Sequence, residues 1–387
     1  WSKNLPNLTE TGVYTVTCRG TAEGFEPTDV SASVILHGPA ADHWTYDATT
    51  NPKTISDGVW VLKVTEKNGE LTVTGVAAGT DYRSDMTLDL SKPIDGGLPI
   101  VDIGYQAVYG NAYLTTLKLP ETLRSIGGDA FCACSGLKTI TPFMPASMTT
   151  IGQQVFFAAR ALEGDLVLGE KGGASLTFSG VRSFHGTKIT SVTIEADVKG
   201  GTLPSGTFNS CASLTNVVPC LPASVTSIGE NAFYECKALA SPVRLGFGPQ
   251  PLTFSSIQQF IRCTSIPDAQ IGPGVTALPT SIFDECSSLT NATLPEGLVS
   301  VADCAFYSCC YATRITLPST LKDIGAMSFA DCAELISITF PEGIERIGWQ
   351  AFIDCHQLCE VVFTGRAPIL EEACFFHVYA NVYYPPN

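Results

Sequence analysis

The amino-acid sequence predicts a solenoid of mixed α/β class, about twelve coils of short strands joined by helical or 3₁₀ turns. Three observations predict it. The nonapeptide IGWQAFIDC (347–355) returns as IGGDAFCAC (126–134), IGENAFYEC (228–236) and IGAMSFADC (324–332). The position of its Phe recurs at Val108, Phe131, Phe156, Phe184, Phe208, Phe233, Phe260, Phe283, Phe306, Phe329, Phe352 and Phe375. The last six marks are 23 residues apart, and the earlier steps are 23, 25, 28, 24, 25 and 27. Catalytic motifs occur once or twice in a chain, so a motif repeated along its whole length is architecture.

Each element of the coil follows from its residues. Six residues after most marks comes a segment such as LTTLKLP (114–120), LTNATLP (289–295), ATRITLP (312–318) or LISITFP (335–341). Alternating apolar and β-branched residues make it a short strand, and the Pro, which has no N–H to donate, ends it. A second apolar pair follows, as in LKDIG (321–325), whose Gly is expected to permit a turn. A helical or 3₁₀ turn then carries Ala and Phe inward. No coil can bury its Leu, Ile and Phe alone, whereas stacked neighbours bury them in columns. Twelve coils at the strand spacing of about 4.8 Å make a stack of roughly 55 Å.

The 15 cysteines fit the same frame. Cys134, Cys211, Cys236, Cys263, Cys286, Cys309, Cys332 and Cys355 each lie three residues after a recurring Phe, and no C-x-x-C pair exists. They are expected to be buried thiols acting as small hydrophobes. A zinc ribbon has no support. Cys132 and the pair Cys309-Cys310 add thiols beside this ladder, read as structural or tolerated rather than redox-active.

The repeat L-x-x-I-x-L-P, then L-x-x-I-G-x-x-A-F-x-x-C, resembles the BspA-type leucine-rich repeats of bacterial and some protist surface proteins over about residues 100–380. The segment 71–108 resembles the strands that open such solenoids. The resemblance implies a leucine-rich-repeat protein that is secreted or held at the cell surface and used in adhesion or recognition. The expected partner is an extracellular protein or a glycan, bound by a monomer.

The domain organisation expected is a β-rich segment or cap at 1–58 and the solenoid at 59–387, with lead-in strands at 59–100 and repeats from about 101. GVYTVTC (12–18) and VSASVILHG (30–38) read as strands. WVLKVTEKNGELTVTGV (60–76) reads as a hairpin turning at Asn68-Gly69, the pair favoured in type I′ turns. Such a segment covers the apolar end that a solenoid otherwise exposes. As a separate domain of under sixty residues it would bury little core.

Charge narrows the function. The chain is 45% hydrophobic and 15% charged, with a net charge of −15. An acidic chain lacks the basic face that phosphate backbones require, which argues against nucleic acid. It also argues against unassisted docking on anionic lipid. No uninterrupted apolar run is long enough for a membrane span. The chain starts at Trp1 without a basic-then-apolar leader, so a signal peptide is expected to be absent or already removed.

Catalytic chemistry has no motif here. LGFGPQ lacks the third Gly of a dinucleotide loop, GEKGGAS lacks the phosphate-loop spacing, and G-x-S-x-G is absent. The histidines His37, His43, His185, His356 and His377 have no metal-ligand spacing. No catalytic residue, cofactor or metal is expected, and the chain is read as a non-enzyme. Asn7 and Asn291 stand in glycosylation sequons, which matter only in a eukaryotic secretory pathway.

Two candidate contact surfaces follow. The outward position of the first strand reads Lys118, Thr193, Arg244, Gln270, Thr293, Thr316 and Thr339 along the stack, with Val at 167, 218 and 362. Broad strand faces are the usual recognition surfaces of solenoids, although Thr also suits a half-exposed strand. Lys118 and Arg244 stand out on so acidic a chain. Insertions in the irregular units supply the second surface: LKTITPFMP (137–145), LVLGEKGGASLTF (166–178), LTNVVPCLP (214–222) and VRLGFGPQPLTF (243–254). Phe143, Met144, Lys171, Phe247 and Gln250 are its candidates, set against simple drift in loop length. The strand face is the better of the two. A structural surface-layer or scaffold element without a specific ligand is the alternative reading.

Overall fold

The computed structural model describes residues 12–20, 28–36, 39–218, 221–255 and 257–385. It is a solenoid of about twelve coils whose walls are parallel ladders between consecutive coils. The first-strand wall runs through segments such as Leu114–Lys118, Asp268–Ile271, Arg314–Thr316 and Glu360–Phe363. The second-strand wall is made of two-residue steps such as Ser125–Ile126, Asp323–Ile324 and Arg346–Ile347. Register is strict in both: Thr293 pairs with Thr316, and Ile324 with Ile347.

The third side of the coil departs from expectation. No helix forms among the described residues. The Phe-bearing segment alternates right- and left-handed backbone instead, with positive φ two residues before and two after each Phe. Asp129 and Ala133 flank Phe131, Cys304 and Ser308 flank Phe306, and Gln350 and Asp354 flank Phe352. All but Asn68 and Asp85 of the non-glycine positive-φ residues belong to this pattern.

Left-handed backbone costs a non-glycine residue roughly 1–2 kcal/mol, so something must hold it. The N–H groups of the two positive-φ residues and of the Phe between them all point toward the following coil, where they meet its carbonyls. The N–H groups of Ser281, Phe283 and Glu285 donate to Asp303, Ala305 and Tyr307 at 3.0, 2.9 and 2.8 Å. Those of Met327, Phe329 and Asp331 donate to Trp349, Ala351 and Ile353, each at 2.9 Å. A helix would have closed these bonds within one turn; here they join coils.

The core is a set of columns inside the three walls. Eleven Phe rings, from Phe131 to Phe375, stack continuously with centroids 5.0–5.7 Å apart. Such offset pairs add about 0.5–1.5 kcal/mol each beyond area burial. The eight recurring cysteines are buried, as the sequence led us to expect. Each of these thiols also donates a hydrogen bond to a carbonyl of the preceding coil. Cys309 Sγ reaches the Phe283 carbonyl at 3.2 Å, and Cys355 Sγ that of Phe329 at 3.1 Å. Burial pushes the thiols up, Cys134 and Cys355 to about 12, which keeps them protonated donors. Cys359 is exposed. Brief maleimide treatment of the native chain, followed by peptide mapping, is therefore expected to modify Cys359 while Cys236, Cys309 and Cys332 react only after denaturation.

The Gly of each I-G pair has a different role from the one expected. Gly152, Gly325 and Gly348 do not adopt positive φ. A Cβ at Gly348 would lie 2.6 Å from Ala326 N and from Gly325 C. The glycine lets backbone approach backbone across coils.

At the N-terminal side, Thr45–Asp47, Lys53–Ser56, Val61–Lys67 and Glu70–Val76 form antiparallel neighbours. Asn68 and Gly69 have φ of 56° and 77°, as a type I′ turn requires. Glu70–Val76 then pairs in parallel with Ile100–Ile103 and so leads into the second-strand wall. Trp44 and Trp60 are fully buried against the first coil, their indole N–H groups donating to the Asp89 and Thr87 carbonyls. Gly12–Gly20 and Thr28–Leu36 form their own antiparallel pair. Trp1, Asn7, His37, Cys220 and the remainder of 1–11 and 21–27 lie outside the described residues.

Candidate functional site

The lengthened coils and the strand face meet at one place. Val243–Leu245 buries Val243 and Leu245 and turns Arg244 outward, a consequence of period-two alternation. The chain then reverses at Gly246, whose φ is 73°, and this brings Phe247 back beneath Arg244. The Arg244 guanidinium lies 4.7 Å from the Phe247 ring centroid. Phe247 stays 52% exposed. Gln250 lies on the same rim, so Arg244, Phe247 and Gln250 line one groove of about 340 Å³ together with Pro222, Val225 and Leu252. A narrow apolar slot of about 20 Å³ opens beside it between Val217, Leu221, Phe233, Leu239 and Phe260. These apolar walls carry no signal in the sequence, because each also reads as an ordinary core position.

Among the described residues several cations of the stack are held by carboxylates, and Arg244 is not. Lys118, the other cation singled out, is bound to Asp89 at 2.9 Å. Arg262 lies between Glu235 and Glu285, and Arg346 between Asp323 and Glu371. Arg124 and Lys322 are bound to Glu70 and Glu345. Among the described residues Arg244 has no carboxylate partner. Its guanidinium keeps its in-plane donors free while its face rests on the ring.

The other candidates are scattered over the coils. Arg244, Gln270, Thr293 and Thr316 are consecutive rungs of one ladder. Gln270 spends its amide on Asp268 at 2.8 Å. Thr293, Thr316 and Thr339 are exposed, Thr193 is half-buried on a separate sheet, and Lys171 is exposed on its long connection. Met144 is corrected, whereas Phe143 stays half-buried. Met144 is buried and Phe143 packs partly against the core. The extra residues there fold inward, where a flexible Met fills the irregular space of a lengthened coil.

Among the described residues no group of three or more His, Cys, Asp or Glu is placed to hold a metal ion. Of the histidines, His43 bonds to Asp42 at 2.9 Å and His377 to Asp354 at 2.7 Å. No described helix is long and apolar enough to cross a membrane.

Comparison with known proteins adds a family. The model of the BspA-type leucine-rich-repeat region matches in six copies over residues 101–240 and 255–381. Among solved structures, a leucine-rich cell surface protein from Faecalibacterium prausnitzii A2-165 is 24% identical, with a TM-score of 0.52, 88% of this chain covered and 97% of that one. A leucine-rich-repeat protein from Bacteroides ovatus is 21% identical, with a TM-score of 0.49, 84% of this chain covered and 98% of that one. No curated protein matches the sequence.

Proposed function

Because the chain belongs to the BspA-type leucine-rich-repeat family, we propose that it is a non-enzymatic cell-surface or secreted protein that recognises an extracellular protein or glycan partner. The observation that carries this reading is Arg244. A cation without a carboxylate, stacked on an exposed Phe beside an apolar slot, suits a partner presenting an acidic group next to an apolar one. The F. prausnitzii neighbour, described as a cell surface protein, supports the placement.

The test is binding of the purified chain to a panel of extracellular-matrix proteins and acidic glycans by surface plasmon resonance at low and high salt. Saturable binding to one member is expected, weakened by salt. Arg244→Ala is expected to weaken it by about tenfold or more, as for a truncated interface anchor. Binding that ignores Arg244→Ala sinks this site. Self-association on dilution series without any binding supports the scaffold reading instead.

A further inference from the structure

A second groove lies at the N-terminal end of the stack, far from Arg244 in sequence and built from different chemistry. The coil centred on Val108 carries Tyr105, Tyr109 and Tyr113, where the next coil has Gly128, Cys132 and Gly136. Tyr82, from the preceding connection, packs on Tyr113 with ring centroids 5.4 Å apart. Their exposures are 49% for Tyr82, 62% for Tyr105, 54% for Tyr109 and 51% for Tyr113. Tyr82, Tyr109 and Tyr113 line an open groove of about 500 Å³ together with Lys63 and Thr74.

Two further features concern its hydrogen-bonding groups. In the second coil the carbonyls of Gly128, Ala130 and Cys132 accept from Gln106, Val108 and Gly110. The corresponding carbonyls of the first coil, on Tyr105, Ala107 and Tyr109, receive no hydrogen bond from the described residues. Ala107 and Tyr109 line the groove. Asn111 occupies the rung that Cys134 fills one coil later. Its side chain is fixed, because Oδ1 accepts the Tyr113 and Leu114 N–H groups, each at 3.0 Å. Asn111 is only 8% exposed. Cys134 spends its thiol on the Val108 carbonyl. Among the described residues the Asn111 amino group donates to no acceptor, and Asn111 too lines the groove.

We propose that this groove binds a neutral pyranose of a glycan chain. A pyranose has an apolar C–H face that sits on the electron-rich face of a tyrosine ring. Its hydroxyls both donate and accept, so they serve the free carbonyls and the Asn111 amino group at once. Lys63 and that amino group disfavour a metal cation, and the carbonyls disfavour an anion.

The test is saturation-transfer NMR and calorimetry of the full chain with maltohexaose, cellohexaose, mannohexaose and chitohexaose. At least one is expected to bind, with little dependence on salt. Tyr109→Ala and Tyr113→Ala, both at exposed rings, are each expected to weaken it by about tenfold with circular dichroism unchanged. Arg244→Ala is expected to leave it intact, so failure here and failure of the Arg244 groove are separable. No transfer to any of the four sugars, or binding that survives both tyrosine substitutions, overturns the proposal.

Discussion

Phe306→Ala is expected to lower stability by about 3–5 kcal/mol, the usual cost of truncating a fully buried Phe. Phe306 is 0% exposed and stacks on Phe283 at 5.6 Å and on Phe329 at 5.3 Å. The loss removes two ring contacts and leaves a void inside a stack whose coils touch only their neighbours. Coupling along a solenoid is a nearest-neighbour property, so the damage is expected to be local. Urea titration followed by circular dichroism should show a lower midpoint and a transition that broadens or divides. Hydrogen exchange should locate the weakened coils between Phe283 and Phe329. A loss of under about 1 kcal/mol with a single sharp transition would contradict the column as the stack's main support.

Gly348→Ala is the second large effect. A Cβ there meets Ala326 N and Gly325 C at 2.6 Å, shorter than any ordinary contact, and both are backbone atoms that cannot rotate away. Overpacking of this kind costs about 1–3 kcal/mol. Ala302 holds the same place in one coil, so the expected result is a shifted, less stable stack rather than a failure to fold. Gly343→Ala is the control, because the nearest atom to its Cβ is Ser319 O at 3.8 Å. Thermal melts should separate the two variants clearly. Equal melting points would mean that close approach is not what the I-G glycine provides.

These two residues also mark what the sequence made legible. The period announced the coil, and alternation announced the first-strand wall; the two-residue steps of the second wall showed only as an apolar pair, too short to alternate. The recurring Phe and Cys were readable because buried columns demand the same residue at the same phase. Asn68-Gly69 identified its hairpin for the conformational reason the structure shows. The third wall was not legible. A turn that carries Ala and Phe inward leaves similar side-chain spacing whether it is helical or alternates hand. The positive-φ positions hold residues as unlike as Asp129, Met327 and Arg262, held there by bonds to the next coil rather than by their own preference. Met144 was misread because an insertion at a fixed phase can fold toward the core as easily as away from it. Arg244 was legible as an odd charge, but not as an unpaired one: Lys118 looks the same until Asp89 is seen beside it.

The alternating wall has a consequence for direction. Each coil there sends three peptide N–H groups toward the following coil, so those three dipoles point the same way along the stack instead of cancelling as they largely do across a strand ladder. Here the positive pole faces the C-terminal coil, the reverse of a helix's order along its chain. The two ends are therefore unlike: one shows bare acceptors at Tyr105, Ala107 and Tyr109, and the other shows the N–H groups of Ala373, Phe375 and His377, which find no acceptor among the described residues. A further coil stacked on the C-terminal side would therefore be received by ready donors, and its own N–H groups would renew the same pole one step on.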